Sequence, residues 1–156
     1  MTIAIDVEDE SWNAVPGLDA LAPKAVRAAF AAAGTDAEDF DTSILFTDDA
    51  AIAALNAQWR GKDMATNVLS FPAGDMPRTG GEARPLGDIV LASGVIAREA
   101  AEQGKSLPDH TTHLIIHGVL HLLGYDHEDD GEADEMERLE AEILKGLGIS
   151  DPYERQ

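Results

Sequence analysis

Residues 117–127 read HGVLHLLGYDH, three histidines spaced four and then six apart. On a helix, residues four apart share a face, so His117 and His121 can turn both imidazoles to one ion. A helix that ran on would carry His127 away from that pair. Gly124 resolves the conflict, because glycine enters the left-handed region that ends helices and lets the chain turn back. The stretch therefore reads as a helix end, a reversal, and a third histidine converging on the first two. Three histidines with a fourth position open form the catalytic zinc pattern, not the closed structural one.

Working outward, all five histidines fall between residues 110 and 127, and His110, His113, His117 and His121 share one face of the expected helix. His113 and His121 lie eight residues apart, roughly 12 Å at ~1.5 Å per residue. Two zinc–nitrogen bonds of about 2 Å each do not span that distance easily, so one ion takes one i, i+4 pair. His113, one turn before His117 on the cleft side, is placed to contact substrate or relay a proton, with a suitable ordinary pKa of ~6.5. His110, near the helix start, reads as exposed.

The rest of the chain supplies a scaffold. Residues 3–7, 42–47, 67–72 and 86–92 read as strands. Helical spacing covers 18–33, ended by Gly34, and 49–59, with Asp48 as N-cap and Ile52, Leu55 and Trp59 on one face. Ser93 reads as the cap of a helix to Gln103. Pro108 opens the helix that carries the histidines. A last helix spans about 131–147, with Met136, Leu139, Ile143 and Leu147 inward. Residues 73–85 are turn-rich and read as mobile. The expectation is a single α+β domain over 1–156, α/β-like, with a small mixed sheet of about four strands and about five helices.

Composition narrows the function. There is no cysteine, which excludes disulfide scaffolds, cysteine-ligated zinc fingers and iron–sulfur sites. The first twelve residues do not read as a signal peptide and no apolar run reaches membrane length, so the expected location is cytoplasmic and no membrane partner is expected. The formal net charge is -19 with only 11 Lys+Arg, which repels polyanions at long range. DNA is not an expected partner, and any RNA binding has to be weak, local and salt-sensitive.

The spacing H-x-x-x-H-x-x-G-x-x-H is also that of the metzincin proteases, but Gly118 stands where their general-base glutamate stands. HGVLHLLGYDH resembles much more closely the H-G-x-L-H-L-x-G-Y-D-H signature of the YbeY family of bacterial endoribonucleases. NAQWRGKDMATNVLSFP, residues 56–72, and LGDIVLA, residues 86–92, resemble two further segments of that family. Met64-Ala65 stand where a Lys-Pro pair is common. The likeness runs over about residues 45 to 145. It implies a metal-dependent, single-strand-specific endoribonuclease of ribosomal RNA maturation, including the small-subunit 3′ end, and of ribosome quality control. It implies one zinc per chain on His117, His121 and His127, and a functional role for Arg60. The ribosome or ribosome-associated proteins are the expected targeting partners.

Arg60 opens RGKD between a helix and a strand. Its planar fork suits phosphate oxygens and charge developing during phosphodiester cleavage. Lys62 is a weaker phosphate candidate, and Asp63 caps the loop or contacts substrate. Asp126 either orients a ligand imidazole, acts on metal-bound water, or merely completes a turn. Tyr125 packs or stacks on a base, with packing favoured. Thr66 and Ser70 line the cleft or satisfy backbone. The acidic stretch EDDGEADEMERLEAE, residues 128–142, lacks EF-hand spacing and reads as a solvated helix start.

With Gly118 offering no carboxylate, two routes stay open. A zinc ion lowers the pKa of bound water from ~15.7 to ~7, or the RNA 2′-hydroxyl attacks a polarised phosphoryl group. Gly118 itself reads as giving room for close approach of substrate. The rival functions are a metallohydrolase of another substrate class, which Gly118 disfavours, and a non-enzymatic ribosome-associated metal-binding module, which the open site and Arg60 disfavour.

Overall fold

The structure is a computed structural model and describes residues 2–35, 40–72, 84–125 and 130–149. The turn-rich stretch expected to be mobile lies almost wholly outside them. Strands β1 (Thr2–Val7), β2 (Phe40–Thr47), β3 (Val68–Pro72) and β4 (Arg84–Ala92) form one sheet in the order β1-β2-β4-β3. β1, β2 and β4 run parallel, and β3 pairs antiparallel with β4 at the edge. Parallel neighbours need a crossover, which α1 (Leu18–Ala32) supplies between β1 and β2 and α2 (Asp49–Arg60) begins between β2 and β4. Then α3 (Ser93–Gln103), α4 (Leu107–Leu122) and α5 (Asp130–Gly146) follow one another. This is the expected α+β architecture, with four strands and five helices among the described residues and an additional 3₁₀ turn at Glu10–Ala14 that the sequence reading passed over.

The strands alternate, as period-2 side-chain direction requires. Ile44, Phe46, Ile89 and Leu91 join the main core, with Val26 and Phe30 of α1, Ile115, Ile116 and Leu120 of α4, and Met136 and Leu144 of α5. Val90 and Leu69 face the other way and pack with Ile52 of α2. α4 is thus central: its residues 110–116 are all buried.

Two local expectations need correction. Trp59 is not inward but 65% exposed, its ring edge-on to Phe71 at 6.3 Å, and Asn56 takes the buried place on α2. Ser93 does not cap α3. It is the first helical residue, and its hydroxyl donates to Asp9 Oδ2 at 2.6 Å. The capping acceptor is Asp49 of α2, whose Oδ1 accepts from Val95 N at 3.0 Å and whose Oδ2 pairs with Arg98 at 3.0 Å. Asp48 does cap α2, accepting from Ala51 N at 2.8 Å.

Gly87 fits the sheet to the site. The β2–β4 register slips between Asp41 and Thr42, which pair with Pro85 and Gly87 and leave Leu86 as an extra residue. Gly87 holds φ +148, and a Cβ there would run into the Phe71 carbonyl and stand 2.9 Å from Leu122 Cδ2. The missing side chain lets β3 pair closely and lets the end of α4 lie against the sheet.

Candidate active site

α4 begins with Ser106, whose hydroxyl accepts from Asp109 N at 3.2 Å, and with Pro108 in the first turn. At its other end Gly124 N donates to His121 O at 3.1 Å and Tyr125 N to Leu120 O at 3.0 Å, with Gly124 at φ +105. This double bond pattern is the Schellman closure, and Tyr125 packs against the core beside it. The reversal expected from Gly124 is therefore present as far as Tyr125. Asp126 and His127 lie outside the described residues. Among the described residues no group of three potential ligand side chains surrounds one point.

The four histidines of α4 divide into two environments. His110 is not exposed: it is 3% accessible, and its Nε2 lies 3.0 Å from Glu99 Oε1. Burial holds its imidazole below the ordinary range, with the hydrogen bond and charge of Glu99 opposing. Glu99 also accepts from Asn67 Nδ2 at 3.0 Å. His113 is buried as well, its Nε2 3.5 Å from Glu140 Oε1. It lines a side cavity of about 350 Å³ with His110, Glu99 and Lys105, not the cavity that holds Arg60.

His117 and His121, both half-buried, do reach that cavity, of about 530 Å³. Its other walls are Trp59, Arg60, Thr66, Asn67, Val68, Ser70 and Phe71. The two cavities share Asn67, Val68 and His117. Arg60 is the last residue of α2 and exposed. The loop behind it is pinned by buried Asn56, whose Nδ2 donates to Met64 O at 3.0 Å, while Lys62 N donates to Asn56 O at 3.3 Å. Lys62 and Asp63 are exposed and are not among the residues of the cavity wall. Thr66 and Ser70 both line it, and Ser70 also satisfies backbone, donating to Gly118 O at 3.3 Å.

Gly118 serves packing. A Cβ there would stand 3.1 Å from Ile89 Cγ2 and 3.2 Å from Ser70 Oγ, so the close approach is that of α4 to the sheet. The larger correction concerns the acidic stretch. Within it, Glu140 of α5 is fully buried, and its Oε1 lies 2.7 Å from His117 Nδ1. A carboxylate this close to Nδ1 orients the ring. The sequence did hold a signal. Glu140 falls four residues after Met136 and three before Ile143, on the stripe read as inward-facing. An acid on an apolar stripe asks for a partner.

His117, His121 and Arg60 open on one cavity beside the edge strand of a small mixed sheet. A family model described as Endoribonuclease YbeY matches residues 5–148. A protein of Azorhizobium caulinodans with that name is 49% identical over 154 residues, covering 98% of this chain and 96% of the relative. One from Agrobacterium fabrum is 48% identical over 162 residues, covering 100% and 96%. The solution structure of TM1509 from Thermotoga maritima matches with a TM-score of 0.57 at 24% identity, covering 99% of this chain and 100% of that one, a likeness of fold. The chain belongs to the YbeY family of endoribonucleases, hydrolases that act on RNA phosphodiester bonds.

Proposed function

We propose that this endoribonuclease is zinc-dependent and single-strand-specific, and that it acts in ribosomal RNA maturation at the small-subunit 3′ end and in ribosome quality control. The observation that carries the reading is the shared cavity of Arg60, His117 and His121. It is open to solvent, and its wall includes Thr66, whose hydroxyl can hydrogen-bond a ribose–phosphate strand.

The donor chemistry fits a metal. His117 has its Nδ1 engaged by Glu140, the arrangement that prepares the opposite nitrogen for ligation. In this reading His117, His121 and His127 hold one zinc ion, and Asp126 adjoins the third ligand. The bound ion supplies a Lewis acid and a lowered pKa for coordinated water. Arg60 binds a phosphate oxygen through its guanidinium fork and stabilises charge that grows during cleavage. Gly118 supplies no carboxylate where a metzincin has its general base, and a side chain there would crowd Ile89 and Ser70, which disfavours a peptidase.

Among the described residues no helix is long and apolar enough to cross a membrane. A cytoplasmic location fits a substrate on the ribosome, and neither DNA nor a membrane is proposed as a partner. With a net charge of -19, targeting falls to the ribosome or an associated protein. Incubating zinc-loaded protein with a short single-stranded RNA, the matching duplex and a peptide library tests this. Cleavage of the single strand alone, abolished by chelator, is expected. Peptide cleavage without RNA cleavage would reverse the assignment. The product ends, 2′,3′-cyclic or linear phosphate, identify the nucleophile.

A further inference from the structure

We infer that Glu140 is the positioning residue of this site: it fixes the ring orientation and tautomer of His117 and thereby sets the affinity for the metal. The inference rests on the proposed metal reading and extends it to a residue on a different helix. Three observations carry it. Glu140 is 0% exposed, on α5, among the buried neighbours Met136, Ile143 and Leu144. A carboxylate without a local polar partner is disfavoured there, and a leucine would fit the stripe better. Next, its Oε1 approaches His117 Nδ1 at 2.7 Å, the length of a charge-assisted hydrogen bond, while His117 also faces the cavity of Arg60. Finally, the same oxygen lies 3.5 Å from His113 Nε2, so the acid stands between two rings one helical turn apart.

The consequence is specific. With the proton of neutral His117 held on Nδ1 by Glu140, Nε2 carries the lone pair a metal needs. Without Glu140 the ring can rotate and its proton can sit on either nitrogen, and part of the population cannot ligate. Partners of this kind typically change metal affinity by about 10–100-fold.

The test uses the full chain with Glu140→Gln and Glu140→Leu. Zinc affinity is measured by competition with a chromophoric chelator, the thermal midpoint is measured on zinc-free protein, and the His117 tautomer is read from ¹⁵N shifts of the zinc-free protein. Zinc affinity is expected to fall about 10–100-fold in Glu140→Leu and less in Glu140→Gln, whose amide oxygen can still accept from Nδ1. Zinc-free Glu140→Leu is expected to keep its fold while His117 loses its Nδ1–H form. Wild-type affinity in folded Glu140→Leu would overturn the inference. So would a wild-type His117 that carries its proton on Nε2, a result that needs no variant. If wild-type protein takes up no zinc, the metal reading fails, and the tautomer comparison still decides whether Glu140 positions the ring.

Discussion

Arg60 and His117 come from different elements and meet at one cavity, and their variants should fail in different ways. If Arg60 acts mainly as cleavage proceeds, Arg60→Ala should keep zinc content and fold while turnover drops about 10²–10³-fold. Arg60→Lys should rescue poorly, because a point charge does not reproduce the bidentate fork. Single-turnover cleavage of a short RNA checks this. A raised KM with unchanged kcat, and full rescue by lysine, would reduce Arg60 to attracting RNA.

His110 makes a pH prediction. Its folded-state pKa lies below the ordinary value, chiefly through burial, so the folded protein favours the neutral ring. Below about pH 6.5 the unfolded chain takes up a proton that the folded ring resists. The corresponding stability is present above about pH 6.5 and is lost as pH falls toward the folded value. Urea midpoints of wild type and His110→Phe across this range should differ in slope, with the flatter profile in the variant. Identical slopes would show that His110 does not titrate between the states. His117 and His121 line one cavity, as their spacing suggested, whereas His110 is buried and not exposed and His113 lines the side cavity and not that of Arg60. Burial of a helix's polar face depends on what α3 and α5 lay across it, and helical spacing carries no information on that.

At the scale of elements, the caps decide where the site's residues arrive. The Gly124 closure and the Asp48 cap were legible because each is made by residues within a few positions of one another. The start of α3 was not, since its acceptor Asp49 lies 46 residues away on α2. Glu140 likewise lies 23 residues from His117, on a helix whose face only packing identifies.

Two glycine variants test this layer. Gly124→Ala forces a side chain into φ +105, which should cost about 1–2 kcal/mol and lower zinc uptake although no ligand is changed. Elemental analysis of the folded variant is the check, and full zinc occupancy would detach the turn from the metal site. Gly87→Ala adds backbone strain to a collision with Phe71 and Leu122, each worth roughly 1–3 kcal/mol. A large fall in the urea midpoint is expected. A wild-type midpoint would mean that the β3–β4 pairing does not need the missing side chain.

For the whole molecule, the pattern of strands and helices led to an α+β fold with one mixed sheet, and the order β1-β2-β4-β3 came only with the structure. Strand order is set by which faces can be buried together, and a single sequence shows the faces without their partners. The charge of -19 sets the character of RNA binding. Contacts limited to one or two phosphates give a slope of log K against log salt of about -0.7 to -1.4 for a single strand. Binding titrations over a range of salt should fall in that window, and a much steeper slope would reveal a basic surface beyond Arg60.

The central claim is that the cavity shared by Arg60, His117 and His121 cleaves RNA with a metal held by histidines. The most direct measurement is single-turnover cleavage of one short single-stranded RNA by wild type and His117→Ala, each stripped of metal and then resupplied with zinc. The account predicts no cleavage by stripped wild type, recovery with zinc, and neither zinc uptake nor cleavage in His117→Ala. Equal cleavage by the stripped and resupplied proteins, or by His117→Ala, would contradict it.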